Sequence, residues 1–281
     1  MYQTLISGAD LLVLQAGATP ALLLDCRFQL ADPGYGARAY ADGHLPGAHY
    51  LHLDDDLSGS KTGRNGRHPL PELATLAARL AALGVGDGQQ VVAYDDAGGM
   101  FAARAWWLLR LMGHAEVAVL DGGVATWLAA GGALETGEPA AQRAVFSRRA
   151  PLEGTVSCAA VLDNLAAPAF VVVDARGADR FAGQNETIDP VAGHIPGARN
   201  RPFMQNLDAD GRFKAPETLA AEWRQLFAGV PAEAVVHQCG SGVTACHNLL
   251  ALAHAGLPGG RLYPGSWSEW CSDPGRPVEA G

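Results

Sequence analysis

"GHLPGA", residues 43–48, returns as "GHIPGA" at residues 193–198, and that return decides how the chain is read. Taken alone it is a coincidence of six letters. Other stretches repeat in the same order: "LLLDCR" (22–27) with "VVVDAR" (171–176), "PEL" from Pro71 with "PETL" from Pro216, "VVAYD" (91–95) with "VVHQC" (235–239), and "DGGVATW" (121–127) with "PGSWSEW" (264–270). The offset drifts smoothly, from 149 between Asp25 and Asp174 to 143 between Trp127 and Trp270, as small loop insertions would make it. A period this long means a duplicated domain, not a solenoid of short repeats. In "GGALETGEPAAQRAVFSRRAPLEGT" glycine, proline and charge interrupt the apolar pattern. The sequence therefore divides into a first domain over 1–135, a linker over 136–154 and a second domain over 155–281.

Within each half, short β-branched or leucine-rich runs alternate with longer helical patterns. The first half reads "ALLLD", then "PELATLAARLAALG", "QVVAYD", a helix through "FAARAWWLLRLMG", and "VAVLDGG". Pro71 suits the first turn of a helix and Gly84 its end. The second half repeats the order with "AFVVVD", "APETLAAEWRQLFAG", "AVVHQ", "VTACHNLLALAHAG" and "GRLYPG". Runs such as "FVVVD" are apolar at every position and so are buried on both faces, which predicts an α/β fold with a mostly parallel sheet flanked by helices in each half. Ligands of such sheets bind outside the carboxyl ends of the strands, where Cys239 and its counterpart Asp95 both fall.

Composition narrows the function. The 281 residues suffice for two separate cores, and 48% apolar against 17% charged residues is a globular balance. A net charge of −9 repels polyanions, so nucleic acid is not an expected partner. Five cysteines, at 26, 158, 239, 246 and 271, are too few and too scattered for a disulfide framework and contain no Cys-x-x-Cys pair, which fits a reducing compartment. The opening residues lack a basic stretch before their apolar run, and no run approaches the ~18 residues of a membrane span. The expectation is a soluble, cytoplasmic protein with no membrane partner.

"QCGSGVTACHN", residues 238–248, joins the strand "AVVHQ" to a helix. Gly240 and Gly242 relieve the steric limits on the turn and let successive N–H groups converge, making an anion-binding nest completed by the helix N-terminus. A thiolate at the lip of such a nest is stabilised and nucleophilic. The competing reading makes Cys239 a small buried hydrophobe, a role that needs no glycine-rich cradle.

The two "GH[LI]PGA" segments, the duplication, and "CGSGVTA" entering a helix resemble the tandem-domain rhodanese family of sulfurtransferases over essentially the whole chain. The resemblance implies two rhodanese-like domains, a catalytically silent first copy and a second copy whose cysteine is transiently persulfidated. Asp95, at the position of Cys239 in the first copy, agrees with that division because a carboxylate cannot carry sulfur. Family members that use thiosulfate carry basic residues directly after the cysteine, whereas here Gly240 and Ser241 follow and no Lys or Arg lies within 238–248. The loop is similar to that of the members that use 3-mercaptopyruvate. By the same resemblance Arg180 holds the donor carboxylate or carbonyl, Gly240, Gly242, Val243 and Thr244 present the cradle, and Asp54 and His68 form a proton relay with Ser241. Ser241 either donates a proton or completes the turn. Asp54 and His68 are otherwise a solvated acidic turn and a loop histidine. Animal members place a second arginine nine residues after the first, where this chain has Asp189. The implied partners are a small-molecule sulfur donor and a thiol acceptor, either a thioredoxin-like protein or a low-molecular-weight thiol, with cyanide as an assay acceptor and no cofactor.

Several residues read as structural because they recur in the half without a nucleophile: His44 and His194 as braces of a turn, Asp25 with Arg27 and Asp174 with Arg176 as ion pairs. Cys246, about two helical turns after Cys239, is either a resolving thiol or core. The spacings of His237, Cys239, Cys246 and His247 match no zinc pattern, and no metal is expected. Trp267 and Trp270 pack the domain or wall the cleft. A cysteine phosphatase would need arginine at the position of Ala245, and a sulfur-binding module without turnover would not need Arg180.

Overall fold

The computed structural model describes residues 1–281, and the sequence repeat is visible in it as a repeat of strand order. The first half contains β1 (Leu5–Ile6), α1 (Gly8–Gln15), β2 (Leu22–Asp25), α2 (Tyr35–Asp42), β3 (Ala48–Tyr50), α3 (Leu73–Ala82), β4 (Val91–Tyr94), α4 (Ala102–Leu111), β5 (Val117–Leu120) and α5 (Gly123–Ala129). The second contains β6 (Gly154–Thr155), α6 (Cys158–Ala166), β7 (Val171–Asp174), α7 (Ala178–Phe181), β8 (Arg199–Asn200), α8 (Pro216–Phe227), β9 (Val235–Gln238), α9 (Thr244–His254), β10 (Arg261–Leu262) and α10 (Ser266–Trp270). Each half forms one five-stranded sheet, ordered β1-β5-β4-β2-β3 and β6-β10-β9-β7-β8. Every ladder is parallel. β4 and β9 lie at the centre of their sheets and are buried at all four residues, as strands covered on both faces must be.

The helices that follow the two central strands are equally enclosed. Nearly all of α4 and the run Ala245–Leu252 of α9 are buried, so both helices are apolar around most of their circumference. This fixes each helix N-terminus at the carboxyl end of its central strand. One helix start differs from the sequence expectation. Pro71 precedes α3, because the Glu72 side chain accepts the N–H groups of Ala74 and Thr75 and caps the helix itself.

The repeated polar residues are clamps. Arg27 Nη2 donates to Asp25 (2.5 Å) and to Gly43 C=O (2.8 Å); Arg176 Nη2 donates to Asp174 (2.7 Å) and to Gly193 C=O (2.7 Å). His44 and His194 stack on Tyr40 and Phe181 and pair through Nδ1 with the carbonyls of those residues. Both histidines also bridge antiparallel to a glutamate, Glu135 and Glu279 respectively, whose carboxylates accept the N–H of Gly47 and Gly197. The motif that reveals the duplication is thus a fastening between strand end, turn and a later segment in each half.

The chain separates into two compact units, and unit membership departs from sequence order. The first holds residues 1–59, 71–152 and 209–213; the second holds 60–70, 153–208 and 214–281. Residues 136–152 run along the first unit without helix or strand, Ala144 N–H donating to Ala81 C=O and Arg149 N–H to Met112 C=O. No helix is long and apolar enough to cross a membrane.

Candidate active site

In the second unit, residues 239–243 connect β9 to α9 at the carboxyl edge of the sheet. Gly242 has φ +77°, and a Cβ there would collide with the Pro264 carbonyl oxygen, so the turn admits only glycine. Gly242 N–H donates to Cys239 Sγ at 3.1 Å, and the Cys246 thiol donates to Gly242 C=O at 3.3 Å. Because the peptide is planar and trans, directing that carbonyl into the helix turns the N–H of Val243 the opposite way. Cys246 is fully buried and serves the loop backbone; it is not open to a second thiol. Thr244 opens α9 and is half-buried.

Cys239 itself is 2% exposed and held from beneath. Its N–H donates to Ser266 Oγ (3.1 Å), and its carbonyl accepts from Trp267 N–H (2.9 Å). Ser266 Oγ in turn donates to Tyr263 C=O (2.9 Å). Ser266 sits at φ +55°, a region costly for a residue with a Cβ, and matches Gly123 of the first half at φ +60°. The second half has a strained serine where the first has a relaxed glycine, and its hydroxyl grips the cysteine backbone. Trp267 and Trp270 are fully buried in the core of this unit, Trp267 beneath the Arg176 guanidinium at 4.6 Å.

Three charged or polar side chains close on the loop, His68, Arg67 and Arg180. His68 Nδ1 lies 2.7 Å from Ser241 Oγ, both residues buried. A Cβ on Gly240 would lie 3.1 Å from Arg67 Nη2 and 3.8 Å from both terminal nitrogens of Arg180, which places two guanidinium groups against the backbone next to the nucleophile. Arg180 also donates to Glu186 through Nε (3.0 Å) and Nη2 (2.9 Å), and to Asp189 Oδ2 (3.1 Å). Arg67 Nη1 donates to Asp189 Oδ1 at 2.7 Å, and its backbone N–H to Ser268 Oγ at 2.9 Å. Burial alone would raise the pKa of Glu186, but the N–H groups of Ile188 and Asp189 and the Arg180 guanidinium more than offset it and hold the carboxyl below its ordinary value. Arg67 and His68 belong to the 60–70 segment of the second unit, while Asp54 lies in the first unit, in the turn where its N–H donates to His52 Nδ1 (3.2 Å).

The loop of the first unit shows the same design with a different occupant. The fully buried Asp95 carboxylate accepts four N–H groups, from Ala97 (2.9 Å) and Gly99 (2.9 Å) on Oδ1 and from Phe101 (2.8 Å) and Ala102 (2.9 Å) on Oδ2. Burial pushes its carboxyl pKa up, and those four amides oppose the shift. That nest is filled by the chain's own anion, whereas only one amide N–H is turned onto the Cys239 sulfur.

Sequence reasoning brings Cys239, Ser241, His68, Arg180 and the glycines to one place, and the structure adds Arg67, Ser266, Glu186 and Asp189. Arg67 adjoins His68 in "GRNGRHPLP", and Ser266 is the repeat partner of a left-handed glycine, so both left a trace. The absence of basic residues within 238–248 does not leave the loop uncharged, because Arg67 arrives from a distant segment. No group of three or more His, Cys, Asp or Glu is placed to hold a metal. A thiol on a glycine turn, two guanidinium groups and a hydroxyl–imidazole pair stand together, the residue types that attack on an anionic substrate with proton transfer would require.

Comparison with known proteins agrees with this geometry. The model of the rhodanese-like domain matches twice, at residues 9–130 and 157–273. A probable 3-mercaptopyruvate sulfurtransferase of Pseudomonas aeruginosa is 50% identical over 98% of this chain and 100% of that one. A putative thiosulfate sulfurtransferase of Mycobacterium tuberculosis is 40% identical over 99% of this chain and 98% of that one. Among solved structures, 3-mercaptopyruvate sulfurtransferase from Leishmania major superposes with TM-score 0.81 at 31% identity, over 95% of this chain and 74% of that one.

Proposed function

The chain belongs to the rhodanese-like family of sulfurtransferases, carried in two copies, and from that premise we propose that Cys239 takes sulfur from 3-mercaptopyruvate and passes it to a thiol. The observation that carries the reading is the pair of nests: one holds the Asp95 side chain on four amides, and the other, in the same place of the repeat, offers a thiol. In the first half-reaction the Cys239 thiolate attacks the donor sulfur, the carbon–sulfur bond breaks, and pyruvate leaves as its enolate. Loop amides take up the developing charge, and Arg180 with Arg67 holds the donor carboxylate. The enolate is then protonated on carbon. The Ser241–His68 pair, 2.7 Å apart, is the proton route we assign. In the second half-reaction an acceptor thiolate attacks the outer sulfur of the persulfide and Cys239 leaves as thiolate.

The acceptor is a thioredoxin-like protein or a low-molecular-weight thiol, and the proposed location is the cytoplasm, which suits five free cysteines. Thiosulfate is the second reading. Arg67 beside Gly240 favours it, since a departing sulfite needs charge compensation. The decisive experiment is intact-mass spectrometry after donor treatment, with pyruvate release followed in parallel. The wild type should gain one sulfur atom and Cys239→Ser none, with the fold retained. Added sulfur on that variant would move the site to another cysteine, and faster turnover of thiosulfate than of mercaptopyruvate would overturn the donor.

A further inference from the structure

The position where the sequence departs from its resemblance holds the charge balance of the donor site. Asp189 is 3% exposed in its side chain and spans two guanidinium groups, 2.7 Å from Arg67 and 3.1 Å from Arg180. Its own N–H donates to Glu186 Oε1 at 3.0 Å, so backbone and side chain are both fixed. The ion pairs continue from Arg180 to Glu186 (2.9 Å), from Glu186 to Arg176 (3.5 Å) and from Arg176 to Asp174 (2.7 Å). Arg67, Arg176 and Arg180 therefore face Asp174, Glu186 and Asp189, and the frame is electroneutral before any substrate enters.

We propose that Asp189 is the residue that selects a monoanionic sulfur donor over a dianionic one, acting through Arg67 and Arg180. This rests on the sulfurtransferase reading above and deepens it. Asp189 engages one edge of each guanidinium, and Glu186 shares Arg180 Nη2 with it, while Arg67 Nη2 and Arg180 Nη1 lie 3.1 and 3.8 Å from the Cβ position of Gly240, beside the nucleophile. A single carboxylate can take those nitrogens by hydrogen bonds alone, without needing net countercharge. A dianion brings a second charge into a partly buried frame that has no spare cation, and the loss of its hydration is not compensated. Discrimination of this kind works against the wrong substrate more than for the right one.

The test measures kcat/KM for mercaptopyruvate and for thiosulfate, with cyanide as acceptor, on the wild type and on Asp189→Asn, which keeps the shape and removes the charge. The ratio of thiosulfate to mercaptopyruvate should rise by about tenfold in the variant. A rise of less than about threefold in a variant with the wild-type melting temperature overturns the inference. The wild type gives a second reading that needs no variant: inhibition by sulfate should be weaker than inhibition by pyruvate, and tighter binding of sulfate overturns the inference. If the wild type turned over no mercaptopyruvate, the donor reading would fall, and the inference would still stand or fall on whether Asp189→Asn raises thiosulfate turnover.

Discussion

Position 95 and position 239 are one place in the repeat, used by a carboxylate and by a thiol. Asp95 satisfies four N–H groups with two oxygens. Asparagine keeps one acceptor oxygen and turns an NH₂ toward two of the donors, leaving those amides buried without partners at ~1–3 kcal/mol each. Asp95→Asn is accordingly expected to destabilise the first unit by roughly 2–5 kcal/mol in urea unfolding. Sulfur transfer by the protein that remains folded should stay within about twofold, since nothing of the Cys239 site is removed. Loss of transfer to the level of Cys239→Ser in fully folded protein would contradict this. At this scale the sequence discloses residues whose role is local. The run 239–244 spells a nest wherever it sits, whereas Arg180 and His68 were named only through the family resemblance. The bond from Arg67 to Asp189 joins residues 122 positions apart, and no local pattern encodes it. Nor does a serine announce that its backbone will be left-handed, as Ser266 is.

Strand β9 delivers the nucleophile, and it carries an unusual passenger. His237 is fully buried with Trp223 edge-on at 5.6 Å, and neither ring nitrogen has a hydrogen-bond partner. Burial depresses its pKa to about 3. The unfolded chain binds this proton near pH 6.5 and the folded one does not, so the contribution is complete above that pH and is lost as pH falls toward about 3. The slope reaches up to about 1.4 kcal/mol per pH unit. His237→Leu should flatten the acid limb of the stability curve and leave stability at pH 7 equal or higher by ~1 kcal/mol, because it removes an unsatisfied buried polar group. Urea midpoints at pH 7 and pH 4.5 measure both, and an unchanged acid limb would assign it to other groups. Strand β4 was legible because four consecutive apolar residues leave no polar face, and β9, where His237 and Gln238 follow Val235 and Val236, was legible from its place in the repeat. β1, β6, β8 and β10 have two residues each, too few for any period, and exist because a neighbouring strand pairs with them.

At the scale of the molecule, the two units exchange short segments: 60–70 goes to the second and 209–213 to the first. The duplication and the α/β class were readable from the repeat, but this exchange was not, because unit membership follows contacts and the repeat follows sequence order. Replacing residues 60–70 with a Gly/Ser stretch of equal length removes Arg67 and His68 while leaving the two longer segments of the first unit intact. Sulfur transfer should fall by roughly 10²-fold or more, with the first unit still unfolding cooperatively. Full activity in that chimera would mean that the hydroxyl–imidazole pair is dispensable. The half whose nest is closed by Asp95 thus encodes the two side chains, Arg67 and His68, that stand against the other half's Cys239 loop. A gene that shed the first copy would shed Arg67 and His68 with it, so on the proposed mechanism selection for the chemistry at Cys239 alone would hold both copies in the genome.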